Sequence, residues 1–169
     1  MDPFTLSEPW RQFVMSVRRA DQQLAKTVMG VDPGPLRDRL TSIAARLETG
    51  VVETWEIARR GDEIDDAVNQ LDPAALRSRR SSALARGDEG AAEVESLDRQ
   101  IESVERLRSQ SVQTADTLRS MVARFDELAA RATEVAVGAA ETEAYSSPVD
   151  DLRVEIEGLR LAIEETRDQ

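Results

Sequence analysis

Apolar residues recur along nearly the whole chain at three- and four-residue steps, the spacing of one face of an α-helix. From Leu6 to Met29 that face carries Trp10, Phe13, Val14, Val17, Leu24 and Val28. Ser7 is placed to be its N-cap, with Pro9 in the first turn, where a missing N–H costs nothing. Gly30-Val31-Asp32-Pro33-Gly34 ends this helix in a turn. After Pro35, the positions Leu40, Ile43, Leu47, Gly50, Thr54, Ile57, Gly61, Ile64, Val68 and Leu71 follow at 4-3 steps. That is a heptad seam. Gly50 and Gly61 would each cost about 1 kcal/mol against alanine in an isolated helix. Their place on the seam predicts close approach by a neighbouring helix, with a kink near Gly61 as the other reading.

Asp72 and Pro73 then serve as cap and first residue of a short third helix reaching about Arg86. Gly87-Asp88-Glu89-Gly90 is a turn, and a long helix follows from about Ala91 to Ala140. Val94, Leu97, Ile101, Val104 and Leu107 pattern its first half, and Leu118, Met121, Val122, Phe125, Leu128, Ala132 and Val135 its second. Between them, Arg108 to Thr117 is polar except for Val112 and Ala115, as expected of a shallow packing layer or a solvent face. Glu141 to Ser146 reads as a linker. Ser147-Pro148-Val149-Asp150 is a helix start, and Leu152, Ile156, Leu159 and Ile163 give that helix its apolar face. No stretch alternates with a period of two, so no strand is predicted.

Apolar stripes joined by short connections pack as sequential antiparallel neighbours. The fold class is therefore all-α: an elongated antiparallel helical bundle, or coiled-coil hairpin, of about five helices. Met1-Asp2-Pro3-Phe4-Thr5 resembles a cloning-vector remnant, so residues 6–169 are read as one helical-bundle domain. The longest continuous apolar run, residues 135–140, is far below the ~20 residues that cross a bilayer. That predicts a soluble, cytoplasmic chain, and leaves open membrane association through a segment upstream of Leu6.

Composition narrows the chemistry. The 169 residues contain no cysteine and no histidine, which excludes disulfides, thiolate nucleophiles, Cys/His zinc sites, and triads or di-iron motifs that need an imidazole. Hydrophobic residues make up 40% but aromatics only 4%, enough for a core without large anchors. The net charge of −11 argues against nucleic-acid binding by the fold as a whole. The acidic run Asp62-Glu63-Ile64-Asp65-Asp66 lacks the alternating ligands, the sixth-position glycine and the terminal glutamate of a calcium loop. It is read as a solvated helix face, and Asp150 and Asp151 as first-turn acids that complement the helix dipole. Gly30 and Gly34 are not followed by the Lys-Ser/Thr of a phosphate loop. No catalytic residue, metal ligand, cofactor or small-molecule substrate is expected.

The charge distribution is the more pointed feature. Arg77, Arg79, Arg80 and Arg86 give residues 73–87 a charge of +4 with no acid among them. Either these arginines dock onto acidic neighbours such as the 62–66 run, or they form an exposed patch for anionic lipid or an acidic partner, each contributing ~1 kcal/mol near such a surface. Trp10 and Phe13 pose the same choice between core and partner or lipid contact.

The stretches Gly34-Pro35-Leu36-Arg37-Asp38-Arg39-Leu40 and Gly50-Val51-Val52-Glu53-Thr54-Trp55-Glu56-Ile57-Ala58-Arg59-Arg60-Gly61 resemble a group of uncharacterised helical proteins of high-GC actinobacteria. Leu159-Arg160-Leu161-Ala162-Ile163-Glu164-Glu165 is similar to that group too, and 21 arginines against one lysine fit such a genome. The resemblance implies a helical, cytoplasmic or membrane-tethered, non-enzymatic protein, and assigns no functional residue. The expected function is thus an interaction or scaffold protein acting through helix–helix association, in cell-envelope organisation or stress, with a protein partner or a second copy as a homodimer. The alternative is a peripheral membrane module that sets the basic helix on an anionic membrane surface.

Overall fold

The computed structural model describes residues 2–138, 151, 152, 154–158 and 161. Four α-helices follow one another: α1 (Trp10–Gly30), α2 (Pro35–Gln70), α3 (Pro73–Ala85) and α4 (Ala91–Gly138). Short 3₁₀ turns cover Pro3–Thr5 and Gly87–Gly90. Among the described residues there is no strand, so the fold is all-helical. The helix expected from Ser147 begins outside the described residues. Those described at its place are helical, and Leu152 and Ile156 are buried in the main core. Leu159 and Ile163 lie outside the described residues.

Two helix starts follow local chemistry, and one does not. Pro35 opens α2 and Pro73 opens α3, positions where the missing N–H would have no partner anyway. Asp72 adopts left-handed backbone at φ 43°, and its carboxylate accepts from the Ala75 N–H at 3.0 Å. Acidic caps of this kind satisfy one of the orphan donors of a first turn. Helix α1, by contrast, starts at Trp10 rather than Leu6, with Pro9 at the cap position and no side-chain cap. Ser7 is diverted: its N–H donates to Asp62 Oδ1 at 3.1 Å and its hydroxyl to the same oxygen. A carboxylate on α2 thus outcompetes the local backbone for the expected capping serine.

Helix α2 runs unbroken through both seam glycines. Leu40, Ile43, Leu47, Gly50, Thr54, Ile57, Gly61 and Val68 are all buried, and Ile64 is half-buried. Leu71 is 42% exposed, because it lies past the last helical residue. No kink is needed at Gly61, because the missing side chain is filled by a neighbour. The Trp10 indole occupies the place where a Cβ would stand, with three ring carbons inside 3.0 Å of that point.

Helices α1 and α2 are joined by a short turn and pack side by side, and both pack on α4. Trp10 meets Gly61 and Asp65, and Asp65 meets Ser111. At the other end, Thr27 lies 3.0 Å from Thr133. Helix α1 therefore runs parallel to α4, and α2 runs antiparallel to both. Helix α3 returns along the N-terminal half of α4, where Arg86 pairs with Glu93 and Arg80 with Asp98. With 48 residues, α4 is about 70 Å long at 1.5 Å per residue.

The core divides where the polar stretch of α4 predicts. One cluster joins α1, the greater part of α2 and the C-terminal half of α4 around Trp10, Leu24, Leu40, Leu47, Leu118 and Phe125. A smaller one joins Val68, Leu76, Ala83, Leu97 and Val104. Between them sits Ser111, buried and polar. Close approach of α3 and α4 depends on Gly90, where a Cβ would run into the backbone of Ala83.

Candidate functional site

The six residues singled out in the sequence separate into three groups. Trp10 is fully buried and Phe13 is 8% exposed, so both belong to the core and neither presents a face to lipid or partner. Their rings meet edge to face, centroids 6.2 Å apart, and the Arg119 guanidinium stands 5.9 Å from the Phe13 centroid. Burial wins because α1 packs against both α2 and α4, so its apolar stripe is turned to the core they share. Arg79, Arg80 and Arg86 are ion-paired, and Arg77 is exposed with no ion-pair partner among the described residues.

The arginine pairs go to α4, not to the 62–66 run. Arg79 lies 3.8 Å from Glu93, which also pairs with Arg86. Arg80 forks onto Asp98, with its Nη2 3.4 Å from Oδ2. The guanidinium holds the Asp98 carboxyl below its ordinary range, and the carboxylate in turn raises the arginine. Side-by-side antiparallel packing dictates this choice, since α3 lies along α4 while residues 62–66 lie beyond its N-terminal end.

The acidic run has two structural tasks that sequence reasoning missed. Asp62 receives Ser7, as described. Asp65 accepts from Trp10 Nε1 at 2.8 Å and from Ser111 Oγ at 2.6 Å, so one carboxylate ties α1, α2 and α4 together at the boundary of the two cores. A buried indole N–H and a buried hydroxyl each need a partner, and Asp65 supplies both. The available signal was spacing: Asp65 lies four residues after Gly61, hence on the seam side of the helix.

Beside this layer, α2 and α4 enclose a groove of about 780 Å³, walled by Arg59, Glu63 and Ile64 on one side and Gln110, Thr114 and Thr117 on the other. Its polar groups are largely engaged locally. Arg59 pairs with Glu63, and the two threonine hydroxyls donate to the carbonyls of Gln110 and Gln113. Polar lining explains why residues 108–117 could be hydrophilic without breaking the helix.

Near the middle of α1, Asp21 faces Glu48 across to α2. Partial burial, and then the charge of Glu48, raise its carboxyl above the ordinary aspartate value, with Arg18 opposing. A raised acid binds its proton more readily in the folded state, so its ionised form works against folding above that raised value. Asp21→Asn is therefore expected to stabilise the protein at neutral pH, by less than about 1 kcal/mol at so accessible a site. The gain should shrink as pH falls through the raised value toward the ordinary one, and urea titrations of both proteins at neutral and acidic pH measure it. A constant difference across that range would assign the effect to something other than the charge.

Among the described residues, no group of three or more acidic side chains is arranged to hold a metal ion, and no helix is long and apolar enough to cross a membrane. Comparison with family models, with curated proteins and with solved structures finds no match for this chain.

Proposed function

We propose that this chain is a non-enzymatic interaction or scaffold protein that works through helix–helix association. In this reading α2 and α3 form one side of a coiled-coil hairpin and α4 the other, with the helical residues around Leu152 and Ile156 as a fifth helix laid on it. The observation that supports it best is the uneven cover of α4. Its C-terminal half packs against both α1 and α2, whereas its N-terminal half meets α3 and the end of α2. Val94, Ile101 and Leu107 are left only partly buried there, and Leu84 on α3 is 52% exposed. Apolar side chains at a helix pair of this kind are completed by further helices in recognition between proteins.

Two measurements test the reading. Immobilised protein should retain a discrete protein, or further copies of itself, that an otherwise identical Leu84→Glu protein loses. Equal capture by the two, together with a monomeric state in solution, would overturn it. The membrane alternative meets a specific obstacle, because three of the four arginines of residues 73–87 are already paired with acids of α4. Co-sedimentation with anionic phosphatidylserine vesicles at low salt is expected to leave the protein in the supernatant. Binding that Arg77→Ala and Arg79→Ala abolish would restore the membrane reading.

A further inference from the structure

One side of the α3–α4 pair carries a defined set of side chains. Val94, Asp98, Ile101 and Glu105 follow one another at four-, three- and four-residue steps, so they share a side of α4. Arg77, Arg80 and Leu84 do the same on α3. The Arg80–Asp98 pair bridges these two rows, which places all seven residues on one surface of the helix pair. Its centre is apolar, with Leu84 half-exposed and Val94 and Ile101 partly buried. Its remaining charges are Arg77 and Glu105, both exposed and neither ion-paired among the described residues.

The two helices that present this surface have opposite charge. Residues 73–87 hold four arginines and no acid, whereas residues 88–105 hold seven acids and one arginine. A third helix laid on the surface would meet a basic row beside an acidic one. The partner that matches both rows at once is another pair of the same kind, turned so that basic lies over acidic.

We propose that this surface binds a second copy of the chain across a two-fold axis, α3 of each copy lying against α4 of the other, with the Leu84–Val94–Ile101 strip at the centre and Arg77 of one copy facing Glu105 of the other. The proposal rests on the helix-association reading and names its partner and its face. An interface of two such strips is small, so the dimer should form in the micromolar range and be weakened by salt. The opposite two-fold arrangement, α3 on α3, sets Arg77 and Arg80 of one copy against the same two arginines of the other and is disfavoured by like-charge repulsion.

Sedimentation velocity over a wide range of protein concentration tests it. Wild-type protein should shift from monomer to dimer as concentration rises. Leu84→Glu should remain monomeric with an unchanged helical circular dichroism spectrum, since the side chain is half-exposed and its loss leaves both core clusters intact. Arg77→Glu and Glu105→Arg should each weaken the dimer at least about tenfold, because each sets like charges in contact twice. Mixed in equal amounts, the two charge variants should dimerise with each other, since both contacts then pair opposite charges. A folding defect in either variant could not be repaired by mixing. Wild-type monomer at every concentration would overturn the proposal, as would a mixture that associates no better than its components. A dimer that Leu84→Glu leaves intact would overturn this face while leaving helix association standing. A monomer that also captures nothing in the immobilised assay would remove both.

Discussion

Trp10→Ala should lower the unfolding free energy by about 3–5 kcal/mol, the range for removing a fully buried aromatic side chain. Several terms act in the same direction. The indole is completely enclosed, its loss opens a void over Gly61 that a glycine cannot help to fill, and Asp65 loses one of its two hydrogen-bond donors. Against a typical domain stability of about 5–15 kcal/mol, the variant should be marginal at room temperature. Urea denaturation followed by circular dichroism measures it, and Trp55 remains as a fluorescent probe. Trp10→Phe separates the contributions, because it keeps most of the apolar volume while removing the N–H. A loss under about 1 kcal/mol for Trp10→Ala would mean that the three-helix junction is not organised around the indole.

Gly61→Ala should also destabilise, by about 1–3 kcal/mol, although the substitution improves helix propensity by about 1 kcal/mol. The new methyl would stand inside the van der Waals boundary of the Trp10 ring. That ring cannot swing away, since it is fully buried and its Nε1 is fixed on Asp65. The coupling between Trp10 and Gly61 is a sharper test than either single substitution. In a Trp10→Ala background the clash disappears and only the propensity remains, so Gly61→Ala should become neutral or stabilising. A double-mutant cycle by thermal or urea unfolding reads this reversal of sign directly. Additive effects would show that the glycine is on the seam for another reason.

The helices were legible because each carries a one-dimensional signal. Three- and four-residue spacing, Pro35 and Pro73 as first residues, and Asp72 as cap are all properties of short windows, and the structure follows them closely. Ser7 shows where such reasoning ends. Its hydroxyl suits an N-cap, yet a carboxylate 55 positions away captures it, and nothing within the first ten residues could announce that. Within the acidic run, Glu63 and Asp66 are exposed as a solvated face should be, while Asp62 and Asp65 depart from that reading for the same reason as Ser7. Read locally, the acids of the run are solvated charges, but the side of α2 that bears Asp65 is turned toward Trp10 and Ser111.

The candidate surface was half legible. A basic third helix within an acidic chain is a matter of counting, and its docking onto acids was one of the two readings. Which acids it meets depended on the antiparallel return of α3 along α4, so Glu93 and Asp98 take the arginines rather than the 62–66 run. Trp10 and Phe13 could not be assigned to core or surface from α1 alone, because an amphipathic stripe looks the same whether its cover comes from the same chain or from another.

From sequence alone came the all-helical class, the four helices α1–α4 and their ends to within a few residues, the close approach at Gly61, and the polar middle of α4. Periodicity, caps and turns are local, and local free-energy differences of a kcal/mol or so decide them. Tertiary structure alone decided which residue fills the space at Gly61, which carboxylates are structural, which arginines are neutralised, and which part of α4 is left half covered. Those outcomes depend on desolvation and pairing between residues distant in the chain, and such interactions exist only once the helices have been laid side by side.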